Sequence, residues 1–244
     1  MAIVRYWQHL RQKIKGNCMR HIMGQIIFIT MFVTVFGAFA SPTEQHTSKQ
    51  SAALVDAKAQ LQAVLNRFKT YQADFNQEVR NSEGSLVQQS TGTIKMARPE
   101  QLRWHALTPD ETILVANGSK ITYADMFLEQ VSIYNQANLV DDHPMMLLST
   151  NDPEVWVQFA VTVEYEPHIA TRTFIVKNRD EGSANEVVTL VFINDQLKEV
   201  QVFDGQENRT QFVFDNIKED QPLPFDTFVF STPEHFVVDD QSGI

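Results

Sequence analysis

The apolar residues between positions 54 and 75 recur in steps of three and four. They are Leu54, Ala57, Leu61, Val64, Leu65, Phe68, Tyr71 and Phe75. This spacing is typical of one face of an α-helix. Lys58, Gln62, Asn66 and Lys69 fall on the opposite side, and no Gly or Pro interrupts the stretch. The pattern predicts one long amphipathic helix that continues to Phe75.

From about Gln77 the apolar period changes to two, which is the period of a β-strand. The clearest case is EVWVQFAVTVEYE at residues 154–166, where Val155, Val157 and Phe159 point to one side and Trp156 to the other. The segments TIKM, ETILVA, RTFIVK, EVVTLVFI, KEVQVF, RTQFVF and DTFVFS alternate in the same way. Turn pairs such as Asn117-Gly118 separate them. The pattern predicts an antiparallel sheet or a partial barrel.

The apolar side of these predicted strands is rich in aromatic residues. The phenylalanines are Phe159, Phe174, Phe192, Phe203, Phe212, Phe214, Phe228 and Phe230. We expect this side of the sheet to face the interior.

The segment DDHPMMLLSTNDP, residues 141–153, breaks the strand pattern. Pro144 suits the first position of a helix, and Asp141 and Asp142 favour its positive end. A short helix over Met145–Leu148 would be apolar nearly all round, so another element must cover it. It is either a plug of the core or a lid over an apolar cavity, where methionine would give adaptable contacts.

The first 40 residues differ from the rest of the chain. They contain five basic residues and no acidic ones, followed by the apolar run IIFITMFVTVFGAFA, which ends in Ala38-Phe39-Ala40. A basic start, a short apolar core and an A-x-A end are typical of a secretory signal peptide. The alternative is a membrane anchor, because residues 22–40 are nearly long enough to span a bilayer.

The sequence therefore divides into a signal peptide at 1–40, a flexible leader at 41–51, and a single domain at 52–244 that we expect to be a soluble monomer. Removal of residues 1–40 leaves 15 basic and 30 acidic residues, a net charge of −15 with His neutral. Such a charge argues against nucleic acid, because Lys and Arg contacts to phosphates supply most of that affinity. The single cysteine, Cys18, precedes the apolar run, so we expect neither a disulfide nor a lipid anchor in the mature chain.

Motifs of known enzymes are absent from the sequence. There is no G-x-S-x-G, H-E-x-x-H, Walker or Rossmann pattern. His105, His143, His168 and His235 have no second His or Cys at the spacing of metal ligands. We expect no catalysis, no metal and no cofactor.

Several segments, in order, match one known family. They are FNQEV at Phe75, QSTGTIKMARPEQLRWH at Gln89, PDETILVANG at Pro109, FLEQV at Phe127, PMMLL at Pro144 and FVFSTPEHFVVDDQ at Phe228. Together they span about residues 52–241, and the chain resembles the LolA family of periplasmic carriers, which take lipoproteins from the inner to the outer membrane. The match departs at Tyr123-Ala124, since the family commonly has an aromatic residue just before the turn that precedes FLEQV. It also departs at His235-Phe236, where the family usually has a glycine.

The resemblance implies a fold class that is mainly β with some α: a strongly curved, incompletely closed antiparallel half-barrel whose apolar concave face is covered by a helical lid. It implies an acyl-chain cavity, for which the candidate lining residues are Leu61, Leu65, Phe68, Phe75, Leu102, Trp104, Met145, Met146, Leu147 and Leu148. It implies three partners: acylated lipoproteins, the inner-membrane Lol ABC transporter, and the outer-membrane lipoprotein receptor. The implied location is the periplasm of a Gram-negative cell, reached after cleavage near Ala40.

Arg98 has two interpretations. From the residues alone it is a solvated surface charge. The resemblance implies instead that Arg98 reaches backbone carbonyls of the lid and holds it shut without cargo, which suits a guanidinium with five donors. Arg103, beside Trp104, alternates to the other face, where we expect it in solvent.

The alternative function is a module of the same fold with another ligand, either a periplasmic binder of lipid or fatty acid or an envelope-stress sensor. A sensor of that kind usually has a second domain, for which no residues remain.

Overall fold

The computed structural model describes residues 57–136, 144–179 and 185–243, which belong to one compact unit. The predicted signal peptide, the leader and the first residues of the predicted domain lie outside the described residues. Within those ranges, no helix combines the length and the apolar character that crossing a membrane requires.

The described chain forms one twelve-stranded sheet. The strands are β1 Thr70–Arg80, β2 Leu86–Ala97, β3 Gln101–Thr108, β4 Thr112–Asn117, β5 Lys120–Asp125, β6 Gln130–Asn135, β7 Phe159–Glu166, β8 Thr171–Asn178, β9 Asn185–Ile193, β10 Gln196–Asp204, β11 Arg209–Glu219 and β12 Val237–Gln241. Their order is β12-β6-β5-β4-β3-β2-β1-β11-β10-β9-β8-β7. All neighbours are antiparallel except β12, which pairs with β6 in parallel. Because β12 and β7 stand at opposite ends, the sheet is open, and the predicted fold class is confirmed.

Helices occupy short stretches between the strands. Helix α1 covers residues 57–65 of the described chain. A 3₁₀ helix covers Pro144–Leu148, as predicted for this apolar segment, and α2 covers Pro153–Val157. A second 3₁₀ helix, Pro167–Ile169, joins β7 to β8.

The predicted helix is too long, because residues 70–80 form β1. Tyr71, Ala73 and Phe75 are buried while the residues between them are more exposed, which is the period of a strand. β1 pairs with β2 on one side and β11 on the other. Tyr71 and Phe75, four residues apart, fit both periods, and pairing with two neighbouring strands decides in favour of the sheet.

The first residues of the strand predicted at residues 154–166 belong to α2 instead. Asp152 caps α2 through its carboxylate, which accepts from the amide of Glu154, and Pro153 occupies the first turn. Trp156, predicted to face outward, is buried at 2% exposure. Only Phe159–Glu166 forms a strand.

The two faces of the sheet carry separate apolar clusters. On one face, side chains of β1 to β3 and β8 to β11 pack against α1, α2 and the first 3₁₀ helix. On the other face, Ile113, Val115 and Val131 pack against Phe228 and Phe236. Both phenylalanines lie between β11 and β12, in residues 220–236, which are called the C-terminal segment below. That segment includes DTFVFS, which forms turns and no strand. Of the eight phenylalanines predicted to face the interior, five belong to the first cluster: Phe159, Phe174, Phe192, Phe212 and Phe214. Phe228 and Phe230 pack in the second cluster instead, and Phe203 is in neither cluster.

Candidate functional site

The site residues predicted from the sequence lie in one apolar cluster on the helix-covered face. Leu61 and Leu65 come from α1, Phe68 from the turn before β1, and Phe75 from β1 itself. Leu102 and Trp104 come from β3, and Met145, Met146, Leu147 and Leu148 come from the first 3₁₀ helix. Trp104 and Met145 are partly buried, and the other eight are almost completely buried. The structure thus brings residues from five parts of the chain into one interior.

Aromatic rings fill the centre of this interior. The rings of Phe75 and Trp104 stack with centroids 3.9 Å apart. Phe212 meets Trp104 edge to face at 4.9 Å, and Tyr71 meets Phe214 in the same manner at 5.9 Å. Offset and edge-to-face contacts are the arrangements that aromatic rings favour. Tyr71 and Phe212 were absent from the predicted site, although the aromatic pattern had placed Phe212 on the apolar face.

Residues 144–157, from the first 3₁₀ helix to the end of α2, cover part of the interior and are called the lid segment below. Its middle is polar yet buried: Ser149 has 0% and Thr150 has 4% exposure. Their amides both donate to the carbonyl oxygen of Met146 at 3.0 Å. The amide of Glu100, in the turn between β2 and β3, donates to the carbonyl oxygen of Ser149 at 3.0 Å. The lid segment is therefore hydrogen-bonded to the sheet.

Arg98 lies in the same turn and reaches the lid segment with its side chain. Its Nη2 donates to the carbonyl oxygen of Leu148, and its Nη1 donates to Oδ1 of Asn151 at 3.1 Å. A longer contact of 3.5 Å joins Nη1 to Oδ1 of Asn66, and the guanidinium carbon lies 5.3 Å from the ring centroid of Phe68. Arg98 is therefore not a solvated surface charge, since its donors face the lid segment and the end of α1.

Burial affects the ionisation of Arg98. Loss of water lowers the pKa of the guanidinium to about 10, so the group still carries its charge at neutral pH. Its Nε is buried and has no hydrogen-bond partner among the described residues. Beside it lies a cavity of about 30 Å³ lined by Gln62, Asn66, Thr150 and Asn151. This cavity has room for a water molecule but not for an acyl chain.

Arg103 differs from the prediction. It does lie on the opposite face, but its Nη1 donates to the carbonyl oxygens of Thr227 at 3.4 Å and Val229 at 3.3 Å. Arg103 thus holds the C-terminal segment against the second cluster. The sequence pattern assigned the face correctly but could not show that a distant segment covers it.

Three contact residues of the lid segment were missed in the sequence. Lys58 was assigned to the solvent side of the helix, but its Nζ donates to the carbonyl oxygen of Trp156 at 2.6 Å. Trp156 was assigned to the outer face of a strand, and Asn151 was not considered. The signal that could have located them is Asp152-Pro153, a helix start immediately after the apolar run.

The family model described as "Outer membrane lipoprotein carrier protein LolA" matches residues 66–231 of the chain. This range includes the sheet face, Arg98 and the lid segment. The chain belongs to the LolA family. The resemblance inferred from the sequence motifs is thereby confirmed.

Individual LolA relatives agree with this assignment. The chain is 32% identical over 220 residues to the outer-membrane lipoprotein carrier protein of Idiomarina loihiensis, covering 90% of this chain and 100% of that protein. It is 33% identical over 192 residues to the protein of the same name from Pseudoalteromonas translucida, covering 77% and 89%. A crystal structure of a LolA superfamily protein from Nitrosomonas europaea aligns with 7% identity and a TM-score of 0.42, over 74% of this chain and 97% of that one. The family assignment rests on the sequence matches.

Proposed function

We propose that this LolA protein carries lipoproteins by holding their acyl chains in the apolar interior between the sheet and the lid segment. One observation carries the proposal: an apolar interior built from α1, β1 and β3 is covered by a segment that Arg98 holds through hydrogen bonds to Leu148 and Asn151. The curated relatives are named outer-membrane lipoprotein carrier proteins. The acyl chains contact the ten predicted interior residues.

The energetics of the cargo favour an interior that opens and closes. Each buried methylene of an acyl chain contributes about 0.8 kcal/mol. Non-covalent affinity saturates near −18 to −21 kcal/mol, and a carrier at that limit would not release its cargo. In the described structure the interior is occupied by the protein's own side chains, with Leu61, Leu65, Phe75 and Met146 at 0–1% exposure. Cargo therefore enters only when the lid segment moves away, and closure of the lid segment helps to expel it.

Arg98 acts as the latch of the lid segment. A hydrogen bond to a charged group contributes roughly 1.5–3 kcal/mol. The desolvation that lowers its pKa offsets part of this gain. The net closing energy is therefore small compared with the burial of a lipoprotein's acyl chains, so cargo displaces the latch and the latch re-forms after transfer.

The setting of this activity follows from the same proposal. The protein works in the periplasm as a soluble monomer after loss of residues 1–40. It receives acylated lipoproteins from the inner-membrane Lol ABC transporter and passes them to the outer-membrane lipoprotein receptor. Its acidic surface favours docking on basic patches of these two partners. It carries out no catalysis.

The proposal is tested by recovering the tagged protein from the periplasm of its own bacterium and identifying what is bound by mass spectrometry. We expect lipoproteins that still carry their acyl chains. The matched control is the tag without this protein, recovered from the same periplasm. Recovery of free fatty acid or phospholipid without lipoproteins would support the alternative lipid-binding module and contradict the carrier function.

A further inference from the structure

Lys58 makes a second charged contact to the lid segment, at the end that Arg98 does not reach. Its Nζ lies 2.6 Å from the carbonyl oxygen of Trp156, which is 98 residues away in the chain. Arg98 holds Leu148, at the end of the first 3₁₀ helix, and Asn151, before α2 begins. The two cations come from different elements, α1 and the turn between β2 and β3.

The position of the contact on α2 is suited to a cation. Trp156 is the fourth of the five residues of α2, and its carbonyl belongs to the negative end of the helix. The Trp156 side chain is buried and lies edge to face with Phe159, their centroids 6.4 Å apart. Lys58 therefore binds the backbone of Trp156, whose side chain packs in the apolar interior.

The ammonium group of Lys58 is partly withdrawn from water, and among the described residues no carboxylate accepts a hydrogen bond from it. Burial, followed by the positive charge of Arg179, lowers the pKa of Lys58. Arg179 belongs to the same corner, because its amide donates to the carbonyl oxygen of Gln158 at 2.9 Å. Opening the lid segment would return the Lys58 ammonium to water, so this contact closes the lid segment but costs little to break.

We propose that Lys58 is a second latch, which fastens α2 to α1 independently of Arg98, so that full opening of the lid segment requires release of both cations. Lys58 is a positioning residue, since it acts on cargo only through the lid segment. One part of this inference, that the lid segment covers a lipid site, rests on the proposed function. The contact itself exists without cargo, so it can be tested without cargo.

The two latches have different amide reporters. The amides of Trp156 and Gln158 donate within α2, to the carbonyl oxygens of Asp152 and Val155. The amide of Glu100 donates across to Ser149, beside the Arg98 contact. Loss of each latch should therefore increase hydrogen exchange at different amides.

The experiment is hydrogen exchange of the cargo-free full chain, read by NMR or by mass spectrometry with short peptides. Lys58→Met keeps the aliphatic stem and helix propensity but removes the charge. We expect exchange at Trp156 and Gln158 to rise about three- to tenfold, as for the loss of one hydrogen bond, while Glu100 changes little. Arg98→Leu should give the reverse pattern, and Lys58→Arg should restore protection in α2.

Lys177→Met is the matched control, because Lys177 is exposed on β8 and its side chain has no hydrogen bond or ion pair to the lid segment among the described residues. An unchanged exchange rate in α2 of Lys58→Met, or an equal rise in Lys177→Met, would overturn the proposal. A uniform rise across the strands would show general destabilisation and would also overturn it. Because no cargo is present, these outcomes are independent of whether the protein carries lipoproteins.

Discussion

The ring of Phe75 on β1 stacks on the ring of Trp104 on β3, although β2 lies between the two strands. Gly92 of β2 makes this possible. It pairs with Phe75 on one side and with Ala106 on the other, and its missing side chain leaves the space that the Phe75 ring crosses. A Cβ at Gly92 would lie 2.6 Å from Cζ of Phe75 and closer still to the carbonyl oxygen of His105.

Replacement of this glycine should be costly. Gly92→Ala forces the Phe75 ring and the backbone of β3 apart, and overpacking of this kind costs about 1–3 kcal/mol or more. We expect a lower free energy of unfolding in urea titrations. Thr93→Ala, the next residue on the same strand but on the other face, is the control and should lose much less. Equal stability of Gly92→Ala and the unmodified protein would contradict the packing described here.

Removal of the Arg98 guanidinium should open the lid segment and leave the sheet intact. The Leu148 carbonyl loses its charged donor, and Phe68 keeps an apolar neighbour in place of the cation. We expect Arg98→Leu to unfold as cooperatively as the unmodified protein, to bind an apolar fluorescent dye more readily, and to hand lipoproteins to the receptor more slowly. Arg209→Leu is the control, since the side chain of Arg209 makes no hydrogen bond or ion pair in the described part of the chain. Normal hand-off by Arg98→Leu would rule out the latch.

Much of this interior was predictable because its residues follow a period. The alternation in β3 predicts that Leu102 and Trp104 share a face, and the apolar run at Pro144 predicts a covered helix. The boundary between α1 and β1 was not predictable from spacing, because Tyr71 and Phe75 satisfy the helical period as well as the strand period. Pairing of β1 with β2 and β11 decides the matter, and the pairing with β11 depends on residues more than a hundred positions away.

Contacts between distant segments account for the remaining errors. Alternation in DTFVFS predicted a strand, but this segment forms no strand. Its Phe228 packs on the sheet face opposite to the helices, near Arg103. The sequence pattern placed Lys58 in solvent, because the spacing of side chains does not show which backbone carbonyls are within reach. Charged side chains that bind carbonyls are thus the least predictable part of the site.

Asp195, in the hairpin between β9 and β10, ties the turn after α1 to the sheet by accepting from Arg67 and from Arg172 of β8. Arg172 lowers the pKa of this carboxyl most, through a hydrogen bond and its charge, and Arg67 adds to the effect. A depressed carboxyl pKa stabilises the fold above the ordinary value of 3.8, and this stabilisation is lost as the pH falls through the lowered value. Asp195→Asn should therefore lower the melting temperature at pH 7.

The loss in Asp195→Asn should be modest, below about 1 kcal/mol, because the carboxylate is 43% exposed and screened by water. Thermal unfolding at pH 7 and at pH 3 measures it, and the difference between the two proteins should shrink at the lower pH. A difference that stays constant with pH would show that the carboxyl charge is not responsible.

The carboxylate of Glu219, at the end of β11, should destabilise the fold at neutral pH, in contrast to that of Asp195. Burial is the main cause that raises the pKa of its carboxyl, against the lowering effect of Arg67, and its Oε1 has no partner among the described residues. The ionised form then costs stability at neutral pH, and this cost disappears below the ordinary value of 4.5, where both states are protonated. Glu219→Gln should raise the melting temperature at pH 7 and change it little at pH 4. A lower melting temperature at pH 7 would contradict the assignment.

The most direct measurement places a photoreactive benzophenone amino acid at position 104, in the interior, and in a second protein at position 213, on the outer face of β11. Both proteins are irradiated with a synthetic triacylated lipopeptide and with the same peptide without acyl chains. If acyl chains bind between the sheet and the lid segment, the lipopeptide crosslinks to position 104, not to position 213, and the unacylated peptide crosslinks to neither. Crosslinking at position 213 alone, or at both positions regardless of acylation, would place the cargo outside this interior.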